Sequence, residues 1–380
     1  MLCTKAVAVA VLFTATSCAS GCGGADPGAR NPPSGGTHDE AKALNLYIWA
    51  DYLGPDTISA FEKQTGIKVR VSYFDNNETL EARMLTGNSG FDLVVPTAAF
   101  LKRQVRSGAY LPLDKQRLPN LANLDPALMS RIAPRDPGNA HAVIYTWGSF
   151  GIGYNETLVA ERLPGVALNS WRLIFDPAYA AKLAPCGINI IDDPVGTVLL
   201  ALKYLGKNTD APSAQDLADV EAMLIKIRPF VRNIDTSTEI EALANGDICI
   251  TLGYNGDVVQ ARKRAKDANN GIKLDYLIPQ EGSLIWFDLL AIPRDAPNVS
   301  NAYLLINYLL DPHVMADISD AIGFANANTA ATPLLDASIG ADTAIYPTSE
   351  QRQRLFLPPE ETPELARAVT RLWQKFKTAQ

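Results

Sequence analysis

Histidine is scarce in this sequence. There are three in 380 residues, His38, His141 and His313, and none has a partner at metal-ligand or acid–base spacing. That speaks against a histidine metal centre and against a histidine general base. Cysteine is thin too, with five in all, and only Cys186 and Cys249 lie beyond the first two dozen residues. No Lys/Arg run forms a basic patch, and 34 basic against 41 acidic side chains leave a net charge of −7. Nucleic acid is therefore not an expected partner, whereas the overall field favours cationic small molecules. Beyond the N-terminal segment no apolar run could span a bilayer. Nucleotide and nucleophile signatures are incomplete as well. "GIGY" (151–154) lacks the third glycine of a dinucleotide fingerprint, "GKNT" (206–209) lacks the leading glycine of a P-loop, and "WGSFG" (147–151) lacks the glycine two places before Ser149. With no nucleophile–base pair and no cofactor motif, the chain reads as a binder, not an enzyme.

What is present begins with an export signal. Lys5 supplies a positive n-region, "AVAVAVLFTA" (6–15) an apolar stretch too short for a membrane span, and small residues follow. "ATSC" ends at Cys18 and "ASGC" at Cys22; small residues before a cysteine at this place resemble a bacterial lipobox, although neither has Leu three positions ahead. The reading is a lipoprotein-type signal peptide over residues 1–22, lipidated at Cys22 or else Cys18, with the body on the periplasmic or cell-surface side. Residues 23–43, rich in Gly, Pro and polar side chains, read as a flexible tether. In an oxidising compartment Cys186 and Cys249 are most simply a disulfide. Metal binding is the weaker alternative, because no Cys-x-x-Cys or His cluster accompanies them.

The body alternates between strand and helix patterns, and 47% of the chain is hydrophobic, enough for two domains with proper cores. "LNLYIWA" (44–50) reads as a strand. "PDTISAFEKQTG" (55–66) reads as a helix from Pro to Gly with Ile58 and Phe61 inward. "IKVRVSYF" (67–74) is a second strand, "NETLEARMLTG" (77–87) a helix with Leu80 and Met84 inward, and "FDLVVPT" (91–97) a buried parallel strand. This order predicts an open α/β sheet whose ligands bind beyond the carboxyl ends of its strands. "HAVIYTWGSFGIGYN" (141–155) reads as a strand crossing between lobes, "CGINIID" (186–192) and "GDICITLG" (246–253) as buried strands, and "SLIWFDLLAIP" (283–293) as a strand carrying aromatics and then Asp288. Residues 301–323 read as a helix with Leu305, Tyr308 and Leu309 inward, and residues 362–377 as a closing amphipathic helix.

One device recurs: an Asp beside an aromatic at a strand end. Trp49 with Asp51, Tyr254 with Asp257, and Trp286 with Asp288 all show it. Aromatic faces attract cations and carboxylates pair with ammonium groups. Any one pair could be a turn Asp beside a core ring. Three at the ligand edge of one α/β architecture point to an amine site.

The stretches "YIWADYLGPDT", "FEKQTGIKV", "GFDLVVPTAAFLKRQ", "GIGYN", "LANGDICI", "GYNGDV", "FDLLAIP" and "FANANTAATP", in this order, resemble the periplasmic solute-binding proteins of polyamine ABC transporters, most of all the putrescine-binding members. The resemblance runs from about Leu44 to the C-terminus. It implies a type II two-lobe α/β fold, with two open sheets flanked by helices and a hinge of crossing strands. Expected bounds are 44–146 with 268–325 for lobe 1, and 147–267 with 326–380 for lobe 2. It implies a monomer without cofactor or metal that captures a polyamine, a putrescine-like diamine or spermidine, and delivers it to an inner-membrane permease, touching the membrane only through its lipid anchor. By position, Asp51, Asp257 and Asp288 match the aspartates that hold amino groups, and Trp49, Tyr52, Tyr254, Trp286 and Phe324 match the aromatic walls. Thr97 and Thr236 stand at serine positions, and Cys186 with Cys249 match the family disulfide. The sequence departs from the pattern in "IIDDPVGTVLL", where Val195 and Gly196 occupy the place of a Glu, with Asp193 the candidate substitute. A different cationic amine, or a sensing receptor built on the same cleft, are the alternatives that this departure leaves open.

Overall fold

The computed structural model describes residues 40–360 and 362–379; the expected signal segment, both lipidation cysteines and residues 23–39 of the tether lie outside them. Eleven strands form a single connected ladder. They are β1 (Ala43–Trp49), β2 (Lys68–Phe74), β3 (Leu93–Val94), β4 (Ala142–Asn155), β5 (Ile188–Ile190), β6 (Val231–Ile234), β7 (Ile250–Tyr254), β8 (Leu274–Leu277), β9 (Ser283–Ala291), β10 (Ala325–Asn326) and β11 (Leu355–Phe356). The main path is β2-β1-β3-β9-β4-β7-β5-β6, with β8 and β10 pairing on β4 and β11 on β9.

Two parallel sets lie on this path. β2, β1 and β3 are parallel to one another, as are β7, β5 and β6. Between them run β9 and β4, antiparallel to each other and to their outer neighbours β3 and β7. At about 3.3 Å per residue, the 14 residues of β4 span roughly 45 Å. The two expected sheets are thus joined through shared strands. β4 pairs β9 over Ala142–Ser149 and pairs β7 over Phe150–Tyr254 to Tyr154–Ile250.

Each half has its own hydrophobic core. Phe61, Leu80, Leu93, Leu101, Ile144, Tyr145, Phe287 and Ile318 belong to one; Phe150, Ile152, Trp171, Phe175, Ile190, Leu199, Leu224 and Trp373 belong to the other. β4 passes from one core to the other between Trp147 and Phe150, and β9 between Leu284 and Ile285, while Leu243, Val258, Ala261 and Tyr276, from the segment between these strands, pack into the first core. The first β-α-β-α-β run forms as its pattern requires. Phe61 is buried and Ile58 half-buried on the helix Thr57–Thr65, which stops at the left-handed Gly66; Leu80 and Met84 are buried on the helix Asn77–Thr86, capped by Asn76. The expected helix over 301–323 is two helices, Val299–Leu309 and Pro312–Ile322. Asp311 caps the second by accepting the amide hydrogens of His313 and Val314, and Pro312 cannot continue the first because it has no N–H to give.

Cys186 and Cys249 form a disulfide across 63 residues of sequence, between the turn before β5 and the start of β7. Closing a loop of that length restrains the unfolded chain by about 4 kcal/mol in the chain-entropy account.

Candidate functional site

The site is built where the carboxyl ends of β1, β3 and β7 meet the middle of β9. Side chains alternate along a strand, so Trp286 and Asp288 share one face of β9. Asp288 is 5% exposed. Its two oxygens accept hydrogen bonds from Tyr52 Oη at 2.8 Å and Thr97 Oγ1 at 2.5 Å. Burial pushes the Asp288 carboxyl up to about 6, against the opposing pull of these two hydroxyls.

The two residues that carry these hydroxyls are themselves held. Tyr145 Oη donates to the Tyr52 carbonyl at 2.6 Å, and Asn77 donates from Nδ2 to Thr97 Oγ1 while accepting the Thr97 amide hydrogen, each at 3.1 Å. Burial, followed by the Asp288 charge, raises the Tyr52 phenol well above its ordinary value, so it stays a donor.

A run of rings connects this carboxylate to the other half. Tyr52 packs on Phe324 with centroids 5.5 Å apart, Phe324 meets Trp286 edge-on at 5.0 Å, Trp286 meets Tyr254 at 6.3 Å, and Tyr254 meets Phe150 at 4.8 Å. Two glycines make this possible. A Cβ on Gly148 would come within 2.3 Å of the Trp286 ring, and one on Gly256 within 2.0 Å of Phe324.

Beside Gly256, which packs on Phe324, lies the half-buried Asp257, in the first turn of the helix Asn255–Asp267. Burial raises its carboxyl to about 7. Its charge raises the Tyr52 and Tyr254 phenols further, after burial and their hydrogen-bonded aspartates. No described residue donates a hydrogen bond to its carboxylate, and no described lysine or arginine forms an ion pair with Asp257 or Asp288.

Three expected residues stand apart from this group. Trp49 is half-buried at the end of β1, donates from Nε1 to the Val95 carbonyl at 3.2 Å and packs on Phe74. Asp51 follows the end of the strand, so alternation no longer carries it inward; it is exposed, with a left-handed φ of 54°. Thr236 is half-buried, and its Oγ1 accepts the Asp192 amide hydrogen at 3.0 Å.

The "IIDDPVG" turn has a physical explanation. A Cβ on Gly196 would lie 2.6 Å from the Phe150 ring, which occupies the space that a larger side chain would need. Asp193 caps the helix Pro194–Tyr204 through the Gly196 amide at 2.7 Å and accepts the Tyr254 hydroxyl at 3.1 Å. Burial raises its carboxyl, and these two donors partly offset that. Asp192 is engaged elsewhere, by Trp373 Nε1 and Lys377 on the C-terminal helix Pro363–Thr378.

Residues 56–348 match the family described as Bacterial extracellular solute-binding protein. The chain is a member of that family. It is 44% identical to the putrescine-binding periplasmic protein SpuD of Pseudomonas aeruginosa over 89% of this chain and 92% of the relative. It is likewise 44% identical to the putrescine-binding periplasmic protein PotF of Escherichia coli, with the same shares covered. Among solved structures, a putative spermidine/putrescine ABC transporter protein from Listeria monocytogenes superposes with a TM-score of 0.78 at 29% identity, over 90% of this chain and all of that one. The fold is the two-lobe type II architecture of these binding proteins, with β4 and β9 as the crossing strands. No helix among the described residues is long and apolar enough to cross a membrane.

Sequence reading missed three further residues. Asn77 and Phe150 act through neighbours: one orients Thr97 and the other fills the space over Gly196. The third is Glu239, 1% exposed at the start of the helix Glu239–Asn245. In "STEIEALANGD" it looks like an ordinary first-turn acid, and only the position of Gly253 across from it shows where it goes.

Proposed function

We propose that this protein is the extracytoplasmic binding component of a polyamine ABC transporter, capturing a putrescine-like diamine, or spermidine, between its lobes and passing it to an inner-membrane permease. The observation that carries the reading is a pair of aspartates beside an aromatic wall, Asp288 buried and Asp257 half-buried, without an ion pair to a described lysine or arginine for either. Anions in such a place call for cationic ligand groups. At an effective dielectric near 20 and 4 Å, one ion pair has about 4 kcal/mol of Coulomb attraction. Desolvation offsets much of it, so each ammonium needs several acceptors.

In this reading Asp288, oriented by Tyr52 and Thr97, holds one ammonium and Asp257 the other. Trp286, Phe324 and Tyr254 cover the methylene chain and face the cations. Trp49, Asp51 and Thr236 form the rim, where Asp51 meets ligand as the lobes close. The names of the 44%-identical relatives support putrescine as the first compound to test. We further propose a monomer tethered by lipid on Cys22 or Cys18, with catalysis playing no part.

The test is calorimetric titration of the mature protein, denatured and refolded to strip any carried-over amine, with putrescine, cadaverine, spermidine and agmatine in turn. One-to-one binding at micromolar or better affinity, without product formation, is the expected result. Silence across the panel would overturn the ligand class.

A further inference from the structure

Behind β7 lies a second carboxylate that the polyamine-binding reading does not use. Glu239 Oε1 accepts a hydrogen bond from Thr251 Oγ1 at 2.7 Å, while Oε2 is buried with no partner. The group has a made place in the fold. A Cβ on Gly253 would come within 2.0 Å of Glu239 Oε1, so the glycine in β7 is what admits the carboxylate. Thr251 and Gly253 share one face of β7 and Tyr254 points to the other, with Asp257 just beyond the end of the strand.

Building on that reading, we propose that Glu239 is a ligand-positioning and specificity-determining residue, joining Asp257 in a two-carboxylate subsite for one ammonium group of the bound amine. Asp257 receives no hydrogen bond from any described residue, and Glu239 receives one. An ammonium carries three N–H donors and no acceptor, the complement of what this pair lacks. A merely structural Glu239 would need only its contact with Thr251, and would leave a buried oxygen unserved for no return.

The groups that face the pair are all acids or neutral phenols. Asp235, on the loop before Glu239, raises its carboxyl further, after burial and Asp257; Tyr254 and Tyr276 both feel the Glu239 charge. No described lysine or arginine forms an ion pair with Glu239. Burial raises both carboxyls and the Asp257 charge raises Glu239 further, so together they retain a proton. When an ammonium enters, both carboxylates become anions and that proton passes to solvent. Amine capture is therefore linked to proton release.

The test uses the tightest binder among putrescine, cadaverine, spermidine and agmatine, titrated at pH 7 in buffers of different ionisation enthalpy. Wild type is expected to release up to about one proton per amine bound. Glu239→Gln keeps the Thr251 contact but presents N–H donors in place of Oε2. It should bind about ten- to a hundredfold more weakly and release fewer protons than wild type, with its thermal midpoint kept or raised. Glu239→Met serves the same purpose should the amide variant not fold. A folded variant with wild-type affinity and wild-type proton release would overturn the proposal, as would wild-type binding with no proton exchange. Failure of the wild-type protein to bind any of the four amines would instead overturn the functional reading, and this subsite with it.

Discussion

Asp288 accepts two hydroxyl hydrogens, from Tyr52 and Thr97, and each of those hydroxyl residues is fixed in turn by Tyr145 or Asn77. Asp257 accepts none from the described residues, and its charge raises the half-satisfied Glu239. Both carboxyls are raised by burial, yet only one has been given donors by the fold. The difference separates two ways of holding a cation. Asp288 sits in a preorganised cradle, where the orientation of the acceptor is settled by neutral neighbours. In the proposed subsite Asp257 and Glu239 keep their acceptors open and share a proton in place of a cation until a positive group arrives.

The most severe test of this contrast is a pair of truncations. Asp288→Ala and Asp257→Ala should each weaken amine binding by about 2–5 kcal/mol, at least thirtyfold. Their effects on the protein without amine should diverge. Asp288→Ala strands two buried hydroxyls and should destabilise by about 1–3 kcal/mol, whereas Asp257→Ala strands no described donor and should leave the thermal midpoint unchanged or higher. Equal losses of stability in thermal melts would break the comparison.

Next in size is the pH response. Asp288 at about 6, Asp257 at about 7 and the raised Glu239 all lie above their unfolded values. The folded state therefore holds protons that the unfolded chain has lost. That contribution is fully present below about pH 4 and is lost as pH rises through 6 to 7, at up to about 3 kcal/mol for a group shifted as far as Asp288. Melting without amine should accordingly fall between pH 5 and 8. Amine affinity should rise over the same interval, so the melting shift caused by ligand widens; calorimetric scans with and without putrescine at pH 5, 6, 7 and 8 would measure both. A ligand-induced shift that narrows with pH would mean that these carboxyls do not take the cation.

A smaller effect is expected at the turn where sequence comparison places a glutamate. Gly196→Glu must displace the Phe150 ring, which packs on Tyr254, and should destabilise by about 1–3 kcal/mol in denaturant titration without tightening amine binding. Tighter binding would show that the second carboxylate position remains usable there. The smallest is Thr97→Val, which deletes one donor to Asp288. About 1 kcal/mol of binding, roughly fivefold, should be lost in the same titration. No loss would mean that Tyr52 alone orients the carboxylate.

Much of the architecture was legible because it depends on local period and punctuation. The helix Thr57–Thr65 follows from Phe61 inward and Gly66 at its end, and the strands around it from runs such as "LVV". The pairing of Trp286 with Asp288 was also legible, since alternation puts residues two apart on one face. Asp51 was less so. The same two-residue spacing from Trp49 suggested a shared site, but β1 ends at Trp49, and a left-handed backbone at Asp51 turns it outward. The break at Asp311–Pro312 was present in the residues themselves, as a cap followed by a proline.

The sequence by itself determined the alternation of strand and helix, the excess of acid over base, and the recurring aromatic–Asp pairs, because each depends on residue type and near-neighbour spacing. Only tertiary structure decided which acids are provided with donors. Tyr52 reaches Asp288 across 236 residues of chain and Thr97 across 191. Glu239, at the start of a helix, is buried against β7 because Gly253 on that strand leaves room for it. Hydrogen-bond satisfaction and burial are set by neighbours distant in sequence, and no local pattern records them.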